Sequence, residues 1–133
     1  MAKTNFSKEE LQKLSEINLK NCVPACSVKD LNPQLVERII MAQRMCGEQF
    51  VVTSGFRSQS YERSKGRKGS SSHCKGLAVD VSAINSHLRF KIVAGCILAG
   101  FPRLGIGKTF LHIDIDETKP HPIIFHYYDP QET

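Results

Sequence analysis

Ser71-Ser72-His73-Cys74-Lys75-Gly76-Leu77-Ala78-Val79-Asp80 is the stretch on which both fold and chemistry turn. A histidine and an aspartate stand seven positions apart, and a short apolar alternation, Leu77 to Val81, runs through the acid. Alternation predicts a strand in which Asp80 points away from Val79 and Val81. On one continuous strand an odd separation would send His73 and Asp80 to opposite faces. Both can reach one ion only if the chain turns between them, and Gly76 is the residue that permits a turn. His73 is therefore expected on a loop and Asp80 in the strand.

A second histidine lies in Phe110-Leu111-His112-Ile113-Asp114-Ile115-Asp116. Here Leu111, Ile113 and Ile115 share one face of a predicted strand, and His112, Asp114 and Asp116 share the other with Phe110. A row of His, Asp and Asp is expensive to bury unless it meets water or metal. Catalytic zinc sites take three side chains from His, Asp, Glu or Cys and keep one position open. The expectation is that His73, Asp80 and His112 converge on one zinc ion. The bland alternative is three unrelated polar groups at the surface or in the core.

The totals are permissive. At 133 residues the length suits a single domain spanning 1–133, able to bury roughly two-thirds of its unfolded surface without disulfides. With 41% hydrophobic and 23% charged residues the composition is that of a folded soluble chain, and no apolar run approaches the ~20 residues that span a bilayer. Membrane insertion is not expected. The first thirty residues are polar and helix-like, without a secretory pattern, so a cytoplasmic location as synthesised is expected. Five cysteines cannot all pair, which fits reduced thiols. Cys22 and Cys26 have the spacing of half a zinc site, but no second pair completes it. Net charge +5 and pI near 9.0 favour anionic partners without choosing among them.

Ser7-x-x-Glu10 is a capping box before Leu11, Leu14 and Ile17, predicting a helix over 7–20. Asn32-Pro33 opens a second helix with apolar Leu35, Val36, Ile39, Ile40 and Met41, closed by Gly47. Residues 50–53 read as a buried strand ending in a turn at Ser54-Gly55, with Arg57 just beyond. The Ser-, Gly- and base-rich segment 58–75 has no acid after Glu62, and reads as a solvated loop or an arm that grips substrate. Ser86 is the expected cap of a third helix that ends at Gly100. Gly105-Ile106-Gly107-Lys108-Thr109 lacks the first glycine of a phosphate loop, Pro102 standing in its place, and reads as a tight turn into the following strand. A closing strand over 123–128 completes the chain, with His121 and His126 taken as surface groups.

The pattern Ser71-x-His73-x-x-Gly76-x-Ala78-x-Asp80, preceded by Ser54-Gly55-Phe56-Arg57-Ser58 and followed by His112-x-Asp114, resembles the zinc D-Ala-D-Ala carboxypeptidase family. That group takes in bacterial wall peptidases, phage endolysins and hedgehog-like domains. The likeness covers about 5–116, leaving 117–133 as closing strand and tail, and is greatest to the compact His-x-Asp branch carried by single-stranded DNA phages.

The resemblance implies an α+β fold of the hedgehog/DD-peptidase type, with helices on a small antiparallel sheet and one zinc on its open face. It implies ligand roles for His73, Asp80 and His112, oxyanion stabilisation and substrate binding by Arg57, and substrate binding by Ser71. Many members place an acid three residues before the last histidine; Thr109 stands there, so the proton acceptor falls to Asp114. Asp114 could equally anchor an imidazole. Asp116, further off, is expected in solvent.

The function so implied is zinc-dependent hydrolysis of a peptide bond in peptidoglycan stem or cross-bridge peptides, by a monomer of carboxypeptidase or endolysin type. It would be encoded by a phage and meet the host wall at lysis, or trim small wall peptides in the cytosol. Two competitors remain open: a zinc-holding module that binds wall peptide without cutting it, and a basic nucleic-acid-binding domain using 57–75.

Overall fold

A computed structural model describes residues 5–127. It contains α1 (Lys8–Leu14), α2 (Pro33–Cys46), β1 (Val52–Ser54), α3 (Gln59–Ser64), β2 (Ala78–Ser82), α4 (Ser86–Leu98), β3 (Arg103–Ile106), β4 (Phe110–Asp114) and β5 (Ile123–His126), with 3₁₀ turns at Val28–Asp30 and Ser72–Lys75. The five strands form one sheet in the order β1-β2-β4-β3-β5. Neighbours run antiparallel, apart from β3 and β5, which are parallel. The fold is α+β: α2 and α4 pack on one face of the sheet and leave the other open to the loops.

Val79, Val81, Leu111, Ile113 and Leu104 turn toward the helices and are almost wholly buried, with Leu35 and Ile39 of α2 and Ile92 of α4. Each such side chain contributes roughly 1.5–3 kcal/mol on burial. Asn32 caps α2 through Gln34 N at 2.8 Å, with Pro33 in its first turn, and Gly47 ends it at φ 73°. The apolar stripe is rotated from the expected one. Ala42, Gln43 and Cys46 join Leu35 and Ile39 inside, while Met41 is exposed.

Buried Gln43 also explains why α1 stops at Leu14 rather than continuing to Lys20. Its amide donates to the carbonyls of Leu14 and Glu16 at 3.1 and 2.9 Å, and its Oε1 accepts from Phe50 N at 2.9 Å. These contacts hold an extended segment against β1, where Asn18 bridges Val51.

Other expectations shift. Segment 58–75 is not a plain loop: Ser58 caps α3 through Tyr61 N, and Glu62 within that helix is buried. Gly105 lies inside β3, a strand the glycine pattern concealed, so the tight turn is confined to 107–109. Asn85, one residue before Ser86, caps α4. The closing strand is found at 123–126; Tyr128 and the tail after it lie outside the described residues. Among the described residues no helix is long and apolar enough to cross a membrane.

Candidate metal centre

Register builds the site. Ser54 of β1 pairs with Asp80 of β2, Asp80 with His112 of β4, His112 with Gly105 of β3, and Gly105 with Phe125 of β5. Paired residues share a face, so one row crosses the sheet on its open side with an acid and a histidine at its centre. His73 arrives from outside the sheet, on the 3₁₀ turn Ser72–Lys75. Gly76 closes that turn at φ 70°, and a Cβ on it would stand 2.7 Å from the Asp30 carbonyl. Both the left-handed conformation and the close approach require glycine there.

The His73 Nε2, Asp80 and His112 ligand atoms lie within 4.8 Å of one another. Asp80 Oδ1 stands 3.4 Å from His73 Nε2 and 3.0 Å from His112 Nδ1. Each imidazole is held from behind: His73 Nδ1 by the Gly55 carbonyl at 2.8 Å, His112 Nε2 by Asp114 Oδ2 at 2.6 Å. Both rear partners are acceptors, so each takes an N–H and turns the opposite ring nitrogen, with its lone pair, toward the shared point. Two imidazole nitrogens and one carboxylate oxygen, fixed this way and bordering an open cleft, fit a three-ligand zinc site.

Asp114, expected as proton acceptor, is wholly buried and lies on the far side of His112 from the cleft. Asp114 Oδ1 accepts from Asp116 N at 3.0 Å, and Arg103 Nε lies 3.0 Å from each oxygen. Neither oxygen is left to take a proton from the cleft. Of the two readings the strand pattern left open, proton acceptor and imidazole anchor, the geometry is that of the anchor.

Charge follows from these contacts. Burial works against ionised Asp80, but in the metal-free chain hydrogen bonds from His112 and His73, each with a proton on the ring nitrogen that faces Asp80, outweigh it and hold its pKa well below the usual carboxylate range. Burial pulls the His112 pKa down, and its bonds to Asp114 and Asp80 more than reverse that, leaving it above the ordinary imidazole value.

Asp116 is buried, not solvated. Its Oδ2 accepts from Ser72 Oγ at 2.7 Å and Lys75 Nζ at 3.1 Å, and its Oδ1 from Thr118 Oγ1 at 2.6 Å. It ties the end of β4 to the turn that carries His73. Ser71, beside that turn, accepts from His73 N at 3.1 Å and lines the cleft.

Arg57 also lines the cleft, one guanidinium nitrogen 3.2 Å from Ser54 Oγ and Nε 3.4 Å from Glu62 Oε1. The brace that Glu62 gives Arg57 was not foreseen, although a lone acid inside a basic stretch was a usable signal. Phe125 and Tyr127 form the wall beyond His112, and Arg103 lies 5.2 Å from the Phe125 ring centre. A Cβ at Gly105 would stand 2.5 Å from Phe125, so only glycine lets that ring lie over the row. Tyr127, its pKa pushed up to about 12 by burial and by Asp80 and Asp114, keeps its hydroxyl protonated.

The cysteine pair stands elsewhere. Cys22 and Cys26 meet at Gly55, on which a Cβ would lie 3.6 and 2.7 Å from their sulfurs, and burial and Cys26 push the Cys22 thiol up to about 12. Thr109 is exposed in the hairpin, and its carbonyl accepts from Ala83 N.

A protein-family model described as Peptidase M15 matches residues 4–116. The chain belongs to the peptidase M15 family. No curated protein and no solved structure matches it. Peptidases of the M15 family are zinc-dependent hydrolases, in keeping with the His-Asp-His donor set. The M15 match spans every element from α1 through β4, and thus all three donors.

Proposed function

We propose that the chain is a zinc metallopeptidase that hydrolyses a peptide bond in peptidoglycan stem or cross-bridge peptides. The observation that carries this reading is the convergence of His73, Asp80 and His112, with rear-held imidazoles, on the floor of a cleft of about 370 Å³. A space of that size takes a short peptide segment. Zinc, when bound there, supplies Lewis-acid polarisation of a carbonyl and lowers the pKa of water from about 15.7 toward ~7.

The chain's own residues do the rest. Arg57, braced by Glu62 and Ser54, presents a fixed guanidinium to the carbonyl oxygen as negative charge develops on it. Ser71 offers a hydroxyl to the peptide backbone. Phe125 and Tyr127 exclude water on one side, and the protonated Tyr127 hydroxyl is a donor at the rim. In the phage-borne enzymes that the motifs resemble, the site of action is the host wall, and the same is inferred here.

A second reading, a zinc-holding module that binds wall peptide without cutting it, is favoured by one observation. Among the described residues lining the cleft the only carboxylate is Asp80, which faces both imidazoles. Digestion of purified muropeptides by the zinc-loaded chain decides between them. Released fragments that vanish with a chelator, and a 10²–10³-fold fall in kcat/KM for Arg57→Lys with zinc retained, are expected for the peptidase. Binding of intact muropeptides without cleavage would establish the module instead.

A further inference from the structure

A second groove, of about 330 Å³, opens beside the metal cleft and shares Ser71 and Lys119 with it. Arg67, Lys68 and Ser70 form its other wall and Glu62 its floor. Glu62 is the only acid among the described lining residues, and it is already matched. Arg67 reaches Glu62 Oε2 through Nε at 2.7 Å and through a terminal nitrogen at 2.6 Å, and Arg57 approaches Oε1. Two guanidinium groups against one carboxylate leave positive charge in excess. Lys68 and Lys119 add to it, and neither has a carboxylate partner among the described residues, whereas Lys75 nearby is held by Asp116. With cations in excess over its one carboxylate, the groove raises the local concentration of anions.

We propose that this groove is a subsite for a carboxylate that the substrate peptide carries away from the bond being cut. The inference rests on the peptidase reading above. Continuity with the metal cleft through Ser71 and Lys119 favours a group on the same peptide. At about 330 Å³ the groove has room for an acidic side chain or terminus with its flanking backbone. Nucleic acid is less favoured: Tyr61 is the one aromatic of this segment, and Lys65 Nζ, 5.5 Å from its ring centre, already takes one of its two faces. The basic segment 57–75 is thereby assigned to choosing substrate.

The test uses the zinc-loaded chain and two peptides, L-alanyl-D-isoglutamyl-L-lysyl-D-alanyl-D-alanine and its isoglutamine counterpart, which differ only in a carboxylate or carboxamide. Dissociation constants come from calorimetry and kcat/KM from product release. One charge-assisted contact at a partly exposed site predicts roughly tenfold tighter binding of the acid form. In a Lys68→Gln/Lys119→Gln protein that preference should collapse to about one. Equal affinities for the two peptides in the wild type would overturn the proposal, and so would a preference that survives in the double variant. Displacement of the acid peptide by a single-stranded oligonucleotide at lower concentration than by unlabelled peptide would also overturn it, in favour of a nucleic-acid groove. If neither peptide is cut while the preference in binding stands, the peptidase reading fails and the subsite remains.

Discussion

His112 sits between two carboxylates, and its two ring nitrogens have different work. Asp114 accepts the Nε2–H hydrogen bond and leaves Nδ1 to face Asp80 and the open point between the donors. Asp114→Asn should lower zinc affinity by about 10–100-fold, measured by competition with a chromogenic chelator, because an amide cannot fix that tautomer as a carboxylate does. Unchanged affinity would remove the anchoring role. The upward shift of the His112 pKa sets the sign of the pH response. In the metal-free chain the imidazolium persists above the ordinary ~6.5, and a proton on Nδ1 must leave before the nitrogen can bind metal. Zinc affinity should therefore climb with pH through that range and level off above it. A titration in which affinity is flat between pH 6 and 8 would contradict the arrangement.

At the scale of elements, the turn that carries His73 is held at both ends. Gly76 closes it, and Asp116 locks it to β4 through Ser72 and Lys75. Burial opposes ionisation of Asp116, but bonds from Thr118, Ser72 and Lys75 prevail and hold its pKa far below the ordinary carboxylate value. A group depressed in the folded state stabilises fully above its unfolded value of about 3.9 and loses that contribution as pH falls through the folded one. Asp116→Ala should cost about 3 kcal/mol at neutral pH and flatten the acid limb of a denaturation series. A loss below about 1 kcal/mol would show that the network is not structural. The turn itself was legible, since the odd spacing of His73 and Asp80 demanded a bend at Gly76. Asp116 was not, because a strand pattern tells which face a residue takes but not what covers that face. The same limit hid β3, whose Gly105 resembles a turn residue until Phe125 is seen above it.

Across the whole molecule, the two sides of the sheet divide the labour. One face packs on α2 and α4 and holds the fold together; the other carries the donor row and the cleft. The alternations at 77–81 and 111–115 stated this division in the sequence, as did the caps at Ser7 and Asn32. What stayed out of reach depended on long-range packing: the buried Gln43 that ends α1, the Glu62 brace behind Arg57, and the parallel pairing of β5 with β3. No local period encodes such contacts. Because the core stands apart from the donors, a variant lacking the site should still fold. Zinc content per chain after equilibration with zinc and removal of free metal therefore tests the central claim most directly. One zinc per wild-type chain, and none in a folded His73→Ala/Asp80→Ala/His112→Ala protein, is the predicted result; a triple variant that still holds one zinc per chain would contradict it.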